Sequence, residues 1–243
     1  MQVESDPDVD WVAALAGVSR ARAEHAVAKA QAERRLFSHL AREHQREGRS
    51  SYVEIDAPLE LYAIARLVRP RHVVEVGVSS GVSSAYLLAA LEANGRGTLH
   101  SVDLPSRPRR LAKSVGGVSW SLPSGRSSGW AVPLPLRARW DLRIGDKARV
   151  VPLLAGELPS VELFVYDVPH DEAPATNEFR SLDPLVPPGG IAVVDHGPGG
   201  GLCRGLQAWA SARRAEPLRR AGLGLYAMRA SSPAVRRSRQ GSF

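Results

Sequence analysis

Twelve residues, Val73-Val74-Glu75-Val76-Gly77-Val78-Ser79-Ser80-Gly81-Val82-Ser83-Ser84, constrain this chain more than any others. A β-branched apolar run ends at a glycine and crosses a turn of small residues. It then opens into the helical pattern Ala85-Tyr86-Leu87-Leu88-Ala89-Ala90-Leu91. Strand, tight loop and helix follow in that order, with the acid Glu75 at the strand's end. Glycine tolerates a positive φ and a close backbone approach at such a turn. The start of the helix offers N–H groups that have no partner within the helix. A nucleotide-like ligand suits this arrangement.

The remainder repeats the alternation. A helix with Pro58 in its first turn covers 57–68 and ends before Arg69-Pro70-Arg71. Strands are expected at 72–77, 98–103, 140–146, 161–167 and 191–195, with helices at 81–93, 147–156, 176–186 and 202–214. A terminal pair of strands fits 216–229 around Gly222. The expected fold is therefore α/β: a doubly wound, mainly parallel, seven-stranded Rossmann-like sheet with an N-terminal helical extension.

That extension covers residues 1–50. Ser19 can cap one long helix running to about Glu47, with Gly48 as its stop. Its apolar positions, among them Ala23, Ala26, Val27, Ala30, Phe37 and Leu40, recur at helical spacing. Packing on the body, a homo-oligomer contact and a substrate lid are all open to it. The ligand-binding domain is expected at 51–229. Within it, residues 104–138 have no period and are rich in Pro, Gly, Ser and Arg, with Trp120 and Trp130 embedded. An irregular insert of that length points to function, and a substrate-side flap is expected there.

The formal charge of +7 raises the question of nucleic acid. Four arginines, Arg229, Arg236, Arg237 and Arg239, supply +4 of it within the last fifteen residues, which leaves a body at +3. No aromatic residues of the kind that stack on bases are interleaved with them. Residues 230–243 therefore read as a basic, disordered tail, and nucleic acid is not an expected partner. The lone Cys203 precludes an intrachain disulfide, and the start of the chain carries Glu4, Asp6, Asp8 and Asp10 where a secretory signal would be basic. No apolar run approaches the ~20 residues of a membrane helix. A cytoplasmic protein is expected.

Ligands of doubly wound sheets bind beyond the carboxyl ends of the strands. Glu75 with Gly77, Asp103, Asp146, Asp167 and Asp195 stand at five of those ends. One such acid says little, because aspartate also favours turns, but five on one rim exceed what capping needs. The glycines are spaced G-x-x-x-G, with Ser79 where the nicotinamide fingerprint G-x-G-x-x-G has its second glycine.

On these residues the chain resembles class I S-adenosylmethionine-dependent methyltransferases of the catechol O-methyltransferase type, and their bacterial relatives in antibiotic and macrolide-sugar biosynthesis. Glu75 to Ser83 matches the E-x-G-x-x-x-G-x-S form of that group's first motif. Asp103 matches the acid that holds the ribose hydroxyls, and Gly145-Asp146 the G-D/Q pair beside the adenine. Pro187-Pro188-Gly189-Gly190 matches the L-x-P-G-G turn, with Pro187 in place of the usual Arg or Lys. The resemblance covers about residues 52–229. It implies S-adenosylmethionine as cofactor, bound by Glu75, Gly77, Ser79, Gly81, Ser83, Asp103 and Asp146, with Glu75 either ordering the loop or meeting the methionine amino group.

It also implies a second cluster, Asp167-Val168-Pro169-His170 with Asp195-His196. The catechol-type enzymes hold magnesium with an acid after strand 4 and an Asp-Asn pair after strand 5, and place a lysine base three residues after the first acid. Here Asp167, Asp195 and His196 fall on the metal positions, and His170 falls on the base position beside Asp167. The antibiotic-pathway relatives carry D-x-x-H there. His196 departs from the asparagine, and imidazole suits manganese, iron, cobalt or zinc better than magnesium. Three readings stay open: His196 behind the ligands, a metal other than magnesium such as manganese, and no metal. His25, His39, His44, His72 and His100 read as surface or packing residues.

A histidine that titrates near ~6.5 is neutral at pH 7 and can take the proton of a phenol near ~10. A sugar hydroxyl is less acidic and needs a metal's help. The expected activity is O-methylation of a small-molecule hydroxyl, phenolic or sugar. A cofactor-binding accessory protein without methyl transfer and an RNA methyltransferase using the arginine tail are the alternatives.

Overall fold

The structure, a computed structural model, describes residues 7–47, 57–104, 114–115, 118–119, 122–168, 172–195, 202–220 and 222–231. Five strands run parallel at its centre: β1 (His72–Val76), β2 (Thr98–Asp103), β5 (Trp140–Ile144), β6 (Leu163–Asp167) and β7 (Ile191–Asp195). β8 (Leu218–Arg219) and β9 (Leu225–Arg229) close one edge antiparallel, so the sheet order is β5-β2-β1-β6-β7-β9-β8. A separate two-residue hairpin, β3 (Ser114–Val115) and β4 (Val118–Ser119), lies in the insert.

The central strands are apolar on both faces because helices cover both. Val73, Leu163, Val165 and Ile191 point into a core shared with α1 (Val9–Ala16), α2 (Arg20–Gln31), α3 (Arg34–Arg46), α4 (Pro58–Val68) and α5 (Val82–Asn94). Val74, Val76, Phe164 and Ala192 point into a second core under α6 (Lys147–Glu157), α7 (Glu172–Leu182) and α8 (Arg204–Arg213). The N-terminal helices thus share the sheet's own core: Trp11, Leu15, Val27 and Leu40 are all buried there.

Two expectations need correction. The single helix expected over 19–47 is broken at Ala32–Glu33 into α2 and α3. At the break the Glu33 carboxylate accepts a hydrogen bond from the Tyr62 hydroxyl of α4 at 3.2 Å, so a tertiary contact holds the bend. Ser19 stands at the N-cap of α2 but makes no side-chain capping bond. The helix expected at 176–186 begins at Glu172 and ends at Leu182, and a 3₁₀ turn, Asp183–Leu185, follows it. The expected domain edge at 50/51 and the tail from 232 lie outside the described residues.

Chain order reverses between β1 and β6. In a doubly wound sheet that is where a ligand crevice opens beyond the strand ends.

Candidate active site

At the reversal point the two strands approach too closely for a side chain. Gly77 has φ +95°, and a Cβ built on it would stand 1.8 Å from the Asp167 carbonyl oxygen. Gly81, with φ +97°, begins α5, and a Cβ there would meet Val132 and Gly129 of the insert at 2.6 and 2.9 Å. Between them Ser79 takes a left-handed φ of 51°, unusual for a residue with a side chain. Of the loop residues 77–81, only Gly77 and Ser79 are partly exposed. They are the loop's points of access.

Glu75 lies beneath the loop and is fully buried. Its carboxylate accepts hydrogen bonds from the Ser83 and Ser84 hydroxyls, each at 2.6 Å, and from Ser101 at 2.7 Å. Trp140 donates its indole N–H to Ser101 at 2.8 Å, which turns that hydroxyl's own proton towards Glu75. Burial pushes the Glu75 carboxyl up to about 7, against the pull of the three hydroxyls. Glu75 and its donor Ser83, both expected among the cofactor contacts, tie the start of α5 to β1 and β2.

Asp103, at the end of β2, is partly exposed. Its oxygens accept from the Ser79 N–H at 3.2 Å and the Leu104 N–H at 2.9 Å. Burial raises its carboxyl; the nearby Ser128 hydroxyl and backbone N–H groups draw it back down. A carboxylate has about four lone-pair sites, so Asp103 retains room to accept from a diol. Gly145 donates its N–H to the Asp103 carbonyl at 2.8 Å. Asp146, next along, is exposed and caps α6 by accepting from Ala148 at 3.0 Å. Leu104 and Ile144, about half exposed, add an apolar rim between these two acids.

Asp167 and Asp195 are register partners at the ends of adjacent parallel strands, which puts two acidic residues side by side on one rim. Hard oxygen donors so placed suit Mg²⁺ or Mn²⁺ and supply part of the six or more ligands such ions take. Among the described residues no group of three His, Cys, Asp or Glu side chains converges. His170, His196 and Trp120 lie outside the described residues, so the base and the third expected metal ligand have no geometry here.

The insert packs on the glycine loop. Gly129 donates its N–H to the Ser79 carbonyl at 2.9 Å and Ala131 donates to Ser80 at 3.0 Å. From α3, His44 Nε2 meets the Ser80 hydroxyl at 3.0 Å and His39 Nε2 meets the Ala131 carbonyl at 3.1 Å. His39 and His44 were expected at the surface or in packing, and both turn out to bind the loop or the insert that braces it. Their partners lie 36 and 92 residues away, beyond the reach of any local pattern.

A doubly wound sheet with a small-residue cradle at its reversal point, and an acid on the neighbouring strand end, defines a nucleotide-type ligand site of the class I methyltransferase architecture. The chain belongs to the methyltransferase-domain family, whose model matches residues 74–196. The matched residues run from β1 through β7 and hold every strand-end acid described above. None of the curated proteins compared with it matches the chain.

Solved structures with the same fold include TomG from Streptomyces achromogenes, an O-methyltransferase of tomaymycin synthesis in complex with S-adenosylmethionine. It is 17% identical with a TM-score of 0.53, covering 81% of this chain and 89% of its own. The Bacillus cereus O-methyltransferase bound to S-adenosylhomocysteine is 15% identical, TM-score 0.52, covering 79% and 90%. The S-adenosylhomocysteine-bound methyltransferase PaMTH1 of Podospora anserina is 14% identical, TM-score 0.52, covering 81% and 87%. No helix among the described residues is long and apolar enough to cross a membrane.

Proposed function

We propose that the protein transfers the methyl group of S-adenosylmethionine to a hydroxyl oxygen of a small molecule. The observation that carries this reading is the cradle at Gly77, which only a residue without a Cβ can form, with Asp103 facing it from β2. TomG and the Bacillus cereus enzyme, similar in fold, are O-methyltransferases, which supports oxygen as the acceptor atom. When bound, the sulfonium supplies an electrophilic methyl group that needs no further activation.

The protein's part is positioning and proton management. Gly77 and Ser79 let the donor approach the backbone, Asp103 accepts from the ribose diol, and Asp146 with Leu104 and Ile144 borders the adenine. Holding donor and hydroxyl in line is worth about 7–11 kcal/mol in well-oriented intramolecular reactions. His170 takes the acceptor's proton as the new carbon–oxygen bond forms. Asp167 and Asp195, with His196, are the ligands proposed for a divalent cation, Mg²⁺ or Mn²⁺. Held there, such an ion would lower the pKa of an acceptor hydroxyl.

Calorimetry with S-adenosylhomocysteine, metal analysis of the purified protein and a mass-spectrometric acceptor screen test the proposal in turn. Binding of S-adenosylhomocysteine with loss of that binding in Asp103→Ala is expected; no binding by the native protein overturns the reading. His170→Ala should keep the cofactor and lose turnover. Unchanged turnover removes His170 as the base.

A further inference from the structure

Ser79 is a strained residue at the apex of a ligand loop. A non-glycine residue in the left-handed region is strained and persists where its surroundings over-determine it. Four contacts do so here. The Asp103 carboxylate takes the Ser79 N–H, the insert takes the carbonyls of Ser79 and Ser80, and His44 takes the Ser80 side chain. The first three come from the sheet and the insert; His44 comes from the N-terminal helices.

The chemistry of His44 is set by its other nitrogen. Nδ1 lies 2.8 Å from the Leu40 carbonyl, which can only accept, so Nδ1 carries the proton. Nε2 then shares a hydrogen bond with the buried Ser80 hydroxyl. A second grip runs alongside. The Trp130 ring packs at 5.2 Å from the His44 ring, and the Arg126 guanidinium lies 5.1 Å from the Trp130 ring. Arg126 also reaches back to Glu47, just past the end of α3, at 2.6 Å. The C-terminal turn of α3 and the insert therefore hold each other as well as the loop.

We propose that His44 is a positioning residue of the donor site: through its hydrogen bond with Ser80 it clasps α3 onto the glycine loop and holds Ser79 in the conformation that receives S-adenosylmethionine. Affinity for the donor and docking of α3 are then coupled, and the coupling is reciprocal. The proposal rests on the methyltransferase reading and goes beyond it by giving the N-terminal helices a share in cofactor affinity.

The test is S-adenosylhomocysteine binding by calorimetry to the native protein, His44→Ala, His44→Gln and Ser80→Ala, with circular dichroism on each. Hydrogen exchange over residues 34–47 is followed with and without S-adenosylhomocysteine. Loss of one buried hydrogen bond to the loop should weaken binding about tenfold in His44→Ala and in Ser80→Ala. Gln offers an oxygen near the place of Nε2, so His44→Gln should stay within about threefold of native. S-adenosylhomocysteine should slow exchange in 34–47 of the native protein and not in His44→Ala. A folded His44→Ala that binds with native affinity overturns the inference, and so does a His44→Gln as weak as the alanine variant. Should His44→Ala fail to fold, Ser80→Ala decides: a tenfold loss supports the clasp and native affinity overturns it. Failure of the native protein to bind would strike the methyltransferase reading itself, a distinguishable result.

Discussion

Gly77 and Asp167 meet across the reversal point of the sheet so closely that a methyl group on the glycine would stand 1.8 Å from the Asp167 carbonyl oxygen and 2.8 Å from its carbonyl carbon. Backbone, not a flexible side chain, blocks the position, so β1 and β6 would have to part to admit it. Gly77→Ala should cost about 3 kcal/mol or more from overpacking and positive-φ strain together, and should abolish S-adenosylhomocysteine binding. Gly95→Ala is the control. It has φ +67° with open space around its Cβ, so about 1 kcal/mol is expected there. Denaturant unfolding of both variants checks the contrast, and equal losses would contradict the close approach.

How much of this site was written in local pattern differs from residue to residue. The strand, glycine turn and helix at 73–91 were legible because a parallel strand buried on both faces must be apolar throughout, and the turn must use small residues. Asp103, Asp167 and Asp195 are legible as strand ends because each closes an apolar run, whereas Asp146 lies past the end of β5 and caps α6. The break at Ala32–Glu33 was not. Alanine and glutamate favour helix, and what bends the chain there is Tyr62 on another element. The insert was silent because its order comes from bonds to the glycine loop and not from any period of its own. His44 looked like one more helix residue because Ser80 is remote in sequence.

Arg220 and Glu60 form a buried pair, Nε to Oε1 3.0 Å, with side chains only 6% and 4% exposed. Glu60 Oε1 also accepts from the Asp8 N–H at 3.2 Å, where α1 begins, so the pair joins α1 and α4 to the edge of the sheet. Arg220→Met leaves a carboxylate buried without its countercharge and should cost about 3–5 kcal/mol. Adding Glu60→Gln to that variant should restore part of the loss, since the uncompensated charge is then gone. Urea unfolding of the two single variants and the double variant measures this. A double variant whose loss equals the sum of the single losses would deny the coupling.

Asp103→Asn keeps the size of the ribose acid but exchanges one acceptor oxygen for a donor. Two O–H groups of a ribose then face one acceptor in place of two, and the charge that strengthens both bonds is lost. S-adenosylhomocysteine should bind about ten- to a hundredfold more weakly by calorimetry. Native affinity in this variant would remove Asp103 from the ribose site.

Glu75 makes stability depend on pH in a direction opposite to that of a surface carboxylate. Burial raises its folded-state value to about 7, while in the unfolded chain it titrates near the ordinary 4.5. Below 4.5 both states are protonated and the group's contribution to stability is fully present. Between 4.5 and 7 the unfolded chain has released the proton and the folded protein has not, so stability falls as pH rises. Above 7 the loss is complete, about 3 kcal/mol in all. Glu75→Gln cannot titrate, keeps a carbonyl for the serine hydroxyls and carries no charge to bury. The difference in unfolding free energy between Glu75→Gln and native protein should therefore move in favour of glutamine by about 2.5 kcal/mol from pH 5 to pH 8. Denaturant unfolding of both proteins at the two pH values measures it. A difference that does not change with pH would show that Glu75 carries the same charge in the folded and unfolded states.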